Sequence, residues 1–199
     1  MHTLNSLRRR GLRAALLPCL FAAATWFAAG CSDPFKLKAS YSNEPFTYSV
    51  YGLTGNGPAN APAALDLVSR TTAKVDGSFS FDVAFDFDKS GKVLIVPQRL
   101  VGTPLAGSRT VYLQRVSGTY EAFGLAPSKN WLADSAIAVL PGEPVAIKIV
   151  SSSCIYQYST DLYAKIVVDS VKPSGLIFGR GVIDPNCGFK SFAEGVPDK

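Results

Sequence analysis

The sequence predicts an all-β fold, an antiparallel β-sandwich or barrel-like domain of about ten strands. Three observations predict it. Residues 78–88 alternate strictly, with Phe79, Phe81, Val83, Phe85 and Phe87 on one side and Ser78, Ser80, Asp82, Ala84, Asp86 and Asp88 on the other. Side chains alternate across a strand, so this pattern belongs to a half-buried strand with a wet outer face. Similar short apolar runs recur through the rest of the chain. Clusters of Gly, Pro, Asp and Ser separate them, and those are the residues that turns require.

Taken in order, Phe35, Leu37, Ala39 and Tyr41 hint at a strand start inside a short polar tether, and Phe46, Tyr48 and Val50 carry a strand over 46–51. Residues 52–63 are rich in Gly, Pro and Asn and read as a loop. Gly52, Gly55 and Gly57 lack the spacing and the strand–turn–helix context of a dinucleotide site. The Phe-rich strand over 78–88 ends in Asp88-Lys89-Ser90-Gly91, a turn, and 92–101 returns as its partner. Residues 108–116 form the next strand, and 119–124 follow a Ser117-Gly118 turn. The stretch 127–134, with Ser128 as a cap, is the one place where a short helix is expected. Residues 136–140 precede the breaker Pro141-Gly142-Glu143-Pro144. Val145, Ile147 and Ile149 then alternate, as do Leu162, Ala164, Ile166 and Val168. Lys172-Pro173-Ser174-Gly175 breaks once more before a strand over 176–183. Within it, Gly179-Arg180-Gly181 marks a bulge or tight packing rather than a ligand loop.

The N-terminal segment carries a different message. Arg8, Arg9, Arg10 and Arg13 precede an apolar stretch from Ala14 to Phe27, and Ala28-Ala29-Gly30-Cys31 follows. A basic start, a short apolar core and small residues at a cut make a secretory signal, with a core too short to span a bilayer. Ala29-Gly30-Cys31 resembles the lipobox of bacterial lipoproteins, with Ala28 where that family usually has Leu. The resemblance implies cleavage before Cys31 and lipidation of Cys31 as the new N-terminus. Ala28-x-Gly30 also suits an ordinary signal-peptidase site, the competing reading. The expected organisation is therefore a signal peptide over 1–30, a lipidated Cys31 and tether over 31–45, and a single β domain over 46–199. Ser32 after the Cys resembles outer-membrane sorting in enteric bacteria, so the outer membrane is the favoured address.

Processing changes the charge. The chain has 20 Lys+Arg, 15 Asp+Glu and a net charge of +5. Four of the basic residues, and no acid, lie in residues 1–30, so residues 31–199 carry sixteen basic against fifteen acidic groups, a net charge of +1. These are interspersed, and nothing resembles a nucleic-acid footprint. The apolar fraction of 47% argues against global disorder. Cys19 falls in the signal and Cys31 is assigned to lipid, which leaves Cys154 and Cys187. An exported protein is free to oxidise that pair, so a disulfide between them is expected. The only His is His2. Residues 31–199 therefore hold no Ser-His-Asp or Cys-His constellation and no His-ligated metal site. No Ser-x-x-Lys motif occurs either.

Three constellations invite a functional reading. Asp86-x-Asp88-x-Ser90-Gly91 has the start of a calcium loop, in which alternate oxygens point inward around a sharp Gly bend. The position that should carry the bidentate Glu falls on Pro97. Hairpin chemistry explains the same residues, so Asp86, Asp88 and Ser90 remain candidates only and no metal or cofactor is expected. Asp82, Asp86 and Asp88 alternate along one strand face, and neighbours two apart lie about 6.5–7 Å apart. That overlaps the spacing of inverting glycosidases. A solvated face of acids with ordinary acidity is the favoured reading. Tyr156, Tyr158, Tyr163 and Trp131 would suit a sugar- or protein-binding surface, but core packing is the favoured role.

These readings converge on a lipid-anchored, non-enzymatic protein of the bacterial cell envelope. It would act as a surface-binding or structural module, held at the membrane by its lipid and meeting an envelope protein or glycan. The competing reading is a carboxylate-dependent hydrolase acting on envelope or extracellular polysaccharide.

Overall fold

The structure, a computed structural model, describes residues 38–55, 57–77, 81–102, 109–155 and 159–197. Cys31 and the signal segment, positions 78–80 of the Phe-rich run, and Tyr156 and Tyr158 lie outside the described residues.

The strands among the described residues are β1 (Glu44–Tyr51), β2 (Ala64–Asp66), β3 (Thr71–Ala73), β4 (Val83–Phe87), β5 (Val93–Pro97), β6 (Thr110–Arg115), β7 (Ile137–Val139), β8 (Pro144–Val150), β9 (Asp161–Val171) and β10 (Leu176–Asp184). They form two five-stranded antiparallel sheets, ordered β1-β10-β9-β8-β6 and β3-β2-β4-β5-β7. Each sheet keeps its own two edges, so the architecture is a sandwich rather than a closed barrel.

The alternating residues meet between the sheets. Val145, Ile147 and Ile149 of β8 and Leu162, Ala164, Ile166 and Val168 of β9 face Val83 and Phe85 of β4 and Val93 and Ile95 of β5. Burying each large side chain contributes roughly 1.5–3 kcal/mol before conformational entropy is subtracted. The turns form as their residues demand. Asp88 N–H donates to Lys92 O at 2.9 Å while Gly91 N–H donates to Asp88 O at 3.0 Å. Lys172 and Leu176, with Gly175, repeat that geometry at 2.8 and 2.9 Å. Gly91 and Gly175 both stand at φ +80°, a left-handed conformation that glycine adopts at least cost.

Several expectations need correction. Residues 127–134 form no helix: Asn130 sits at φ +68°, and Leu132 is drawn to the sheet edge, where it exchanges two backbone bonds with Leu113 at 2.8 and 2.9 Å. Eight residues are too few for a helix to outcompete such tertiary pairing. Residues 119–124 make a turn, not a strand, and β5 ends at Pro97, where one helical turn, α1 (Gln98–Val101), replaces the predicted continuation. The short strands β2 and β3 carry no clear alternation and were not expected. The Phe-rich strand begins only at Val83. Phe81 packs with Ala64 and Ala84 on the opposite face of its sheet from Val83 and Phe85, so the alternation breaks at Asp82.

Strand β9 is buried on both faces from Leu162 to Val168. Residues 116–131 and the segment after β10 cover its outer side, where Phe123, Ala126, Ala146, Tyr163 and Phe192 form a second cluster. The stretch expected as tether is tied down from Ser40 onward. Ser40 and Tyr41 donate their amides to Asn186 Oδ1 at 2.8 and 3.0 Å, and Asn43 Nδ2 donates to Ser191 O and Ala193 O, both at 2.7 Å.

Candidate functional site

Among the described residues a groove lies along the seam between two sheet edges, β1 of one sheet and β3 of the other. It has a volume of about 640 Å³. Thr47, Tyr48 and Ser49 line it from β1, Arg70, Thr71 and Thr72 from the turn into β3, and Asp169, Phe178 and Gly179 from β9 and β10. Its position follows from local sequence. Alternation in β1 turns Phe46, Tyr48 and Val50 inward and leaves Thr47 and Ser49 exposed. Glycines let the inward rings lie flat on the neighbouring strand. A Cβ on Gly179 would sit 2.3 Å from the Tyr48 ring and from Val167 O, and one on Gly181 would sit 2.4 Å from Phe46. The register of β9 against β10 also shifts between Phe178 and Gly179, so the Gly-Arg-Gly stretch is both a bulge and a tight packing site. Tyr48 then reaches across β10 to donate its hydroxyl to Val167 O at 3.0 Å, and burial holds its phenol protonated well above the usual range.

The groove carries little unpaired charge. The Arg70 guanidinium is ion-paired with Glu44 at the start of β1. Asp169 accepts from Arg180 Nε at 3.0 Å, and Arg180 Nη2 donates to Glu121 at 2.9 Å. What the lining offers is hydroxyls, the Phe178 ring and main-chain groups. Sequence patterning missed this site, because it arises from two strand edges about twenty residues apart in the chain.

The three aspartates do not form a site. Asp82 is fully buried, which corrects the expectation of a solvated acid. Its Oδ1 lies 2.8 Å from Arg109 Nε, and its Oδ2 accepts the Leu67 amide at 2.7 Å. Arg109 also donates to Asp66 at 2.7 Å. Burial pushes the Asp82 carboxyl up to about 6, against the pull of Arg109 and the backbone donors. The raised pKa belongs to an interior ion pair, out of reach of a substrate. Asp86 Oδ1 accepts from Thr54 N and Oγ1 at 3.1 and 2.6 Å. Asp88 Oδ1 accepts from Ser90 N, Ser90 Oγ and Lys92 N at 2.8, 2.7 and 2.9 Å, and these bonds hold its carboxyl below the usual range. Asp86 and Asp88 are thus engaged by separate local donors, Thr54 for the first and Ser90 with Lys92 for the second. Among the described residues no group of three or more His, Cys, Asp or Glu side chains is gathered to hold a metal ion.

Of the aromatic candidates, Tyr163 is buried in the outer cluster and Trp131 packs beside it, with ring centroids 6.0 Å apart. Both serve packing, as expected. Lys165 is the group that sequence reading missed here. It is 5% exposed, donates to Tyr120 O and Phe123 O at 3.0 and 2.8 Å, and lies 4.3 Å from the Tyr120 ring centroid. Its place in the alternation of β9 signals only that it faces away from the central core.

Cys154 and Cys187 form a disulfide, with Cα atoms 5.8 Å apart. Cys154 closes a 3₁₀ turn, Ser152–Cys154, and both cysteines are buried. Among the described residues no helix is long and apolar enough to cross a membrane. No protein family, curated protein or solved structure matches this chain.

Proposed function

We propose that this chain is a lipid-anchored, non-enzymatic module of the bacterial cell envelope that works by binding a partner in the groove along β1. The groove carries the reading: it is roomy, lined by hydroxyls and one aromatic face, and its charged residues are already paired with one another. Such a lining suits recognition of a neutral chain-like ligand by hydrogen bonding and contact. The one carboxylate among its lining residues, Asp169, is held by Arg180. The strand aspartates that a hydrolase would need are spent on Arg109, Thr54 and the Asp88 turn. The envelope address rests on the lipobox resemblance at Cys31 and agrees with a buried disulfide, which persists in oxidising compartments.

The test has two arms. Intact mass spectrometry of the protein extracted from native envelopes should show a diacyl or triacyl adduct on Cys31. A soluble product, or an unmodified Cys31, removes the anchor from this reading. A panel of polysaccharide, peptidoglycan and ester substrates should show no turnover. Hydrolysis abolished by Asp86→Asn would replace the binding module with a hydrolase.

A further inference from the structure

We propose that the groove binds an extended peptide segment of a partner protein by strand addition to β1. The inference rests on the groove being the binding surface and names the chemistry of its ligand.

It begins with the edges of the sandwich. A sheet edge presents unpaired N–H and C=O groups, and folded proteins generally cover or blunt them. The β6 edge is covered by Leu132, which bonds Leu113 in both directions. The β7 edge is capped by the Arg115 guanidinium on Ala138 O and by Glu143, which accepts the Leu140 amide at 3.0 Å. The β3 edge is only three residues long.

β1 is different. Tyr51 N–H donates to Pro62 O at 2.9 Å and Asn43 N–H donates to Gly195 O at 2.8 Å, so the edge is closed at both ends. The pairing of β1 with β10 is regular from Glu44 to Tyr51. Main-chain direction alternates in an antiparallel strand. Ser49 and Thr47 therefore turn their amides and carbonyls the same way as Tyr51, away from β10. Among the described residues these groups have no backbone partner on that side. Pro45 shares their direction and has no amide to offer. The open stretch is thus Thr47–Ser49, and it borders the groove.

Two N–H and two C=O groups at alternate residues match the repeat of a peptide backbone, and strand addition uses that match for affinity. The flanking ion pairs, Arg70 with Glu44 and Asp169 with Arg180, leave no free charge. The fitting segment is uncharged where it crosses Thr47 and Ser49, with small or hydroxylated side chains beside them and an apolar one on Phe178.

The experiment pans a random ten-residue display library against the purified full chain with its disulfide intact. The enriched peptides should be uncharged at their centre and slow amide exchange at Thr47 and Ser49. They should bind Ser49→Pro at least tenfold more weakly. Pro45 shows that this direction of β1 tolerates proline, and circular dichroism checks the fold. If Ser49→Pro does not fold, exchange protection in the wild type decides. No enrichment overturns the proposal, as do peptides that bind without protecting the two amides, or equally to a folded Ser49→Pro. Capture of a neutral oligosaccharide such as cellohexaose without that protection also overturns it, yet leaves the binding-module reading in place. A dimer dissolved by Ser49→Pro would assign the edge to self-association instead.

Discussion

Lys165→Met should destabilise the fold by at least about 2.5 kcal/mol, although it removes a buried charge. The opposite outcome is physically reasonable, because replacing buried charges with apolar groups is often neutral or stabilising. The geometry decides between them. The Lys165 ammonium has three donors. Two are spent on Tyr120 O and Phe123 O, and the third side faces the Tyr120 ring. Burial lowers its pKa, yet the charge is well solvated by the protein, so deleting it recovers little desolvation energy. Methionine would fill the stem's volume and leave two buried carbonyls without their donor. Each stranded acceptor costs about 1–3 kcal/mol, and the lost cation–π contact adds about 0.5–2 kcal/mol. Chemical denaturation of both proteins measures the difference. A domain of this size should lose at least about 5 °C in Tm. Amide exchange should rise first at 120–126, the turn that Lys165 holds against the sheet. A Lys165→Met protein as stable as wild type, or more so, would refute the reasoning and show that desolvation dominates this site.

The remaining expectations are more local. Reducing the Cys154–Cys187 bond, which links residues 33 apart, should cost about 3–4 kcal/mol in the chain-entropy treatment, and urea unfolding with and without dithiothreitol measures it. Gly179→Ala should cost about 1–3 kcal/mol, since its Cβ would meet the Val167 carbonyl, a backbone atom that cannot rotate away; a loss well below about 1 kcal/mol would mean that β10 shifts freely. Asp82 holds its proton more tightly folded than unfolded, because its pKa is raised to about 6. Its contribution to stability therefore grows as pH falls from about 6 towards 4 and is lost as pH rises through that window, by at most about 3 kcal/mol. Asp184, raised by burial, acts in the same direction. Asp88, Glu121 and Glu143 are lowered, so their stabilisation is lost only as pH falls further. Wild type should accordingly gain on Asp82→Asn between pH 7.5 and 4.5, and a pH-independent difference would overturn that assignment.

What could be read from the sequence was whatever is decided locally. Strand alternation over 145–149 and 162–168 identified the inner face of β8 and β9, because side-chain direction has a period of two whatever lies opposite. Gly91 and Gly175 marked hairpins because their backbone conformation is costly for other residues. Cys154 and Cys187 were paired by elimination, a matter of counting and compartment. The tertiary structure decided everything that depends on distant partners. Asp82 occupies a polar position in a local pattern, yet Arg109 and the Leu67 amide draw it inside. Lys165 gives no signal in the sequence beyond its outward place in the alternation of β9, and the 116–131 segment closing over it decides its burial. Residues 127–134, with Ser128 as a cap, invite a short helix, but two backbone bonds between Leu132 and Leu113 outweigh a helix too short to sustain itself. The groove had no local signal, since it exists only where the edges of two sheets come side by side. Period and turn chemistry are properties of neighbouring residues, whereas burial, ion pairing and open edges are settled by which strands the packed core leaves adjacent.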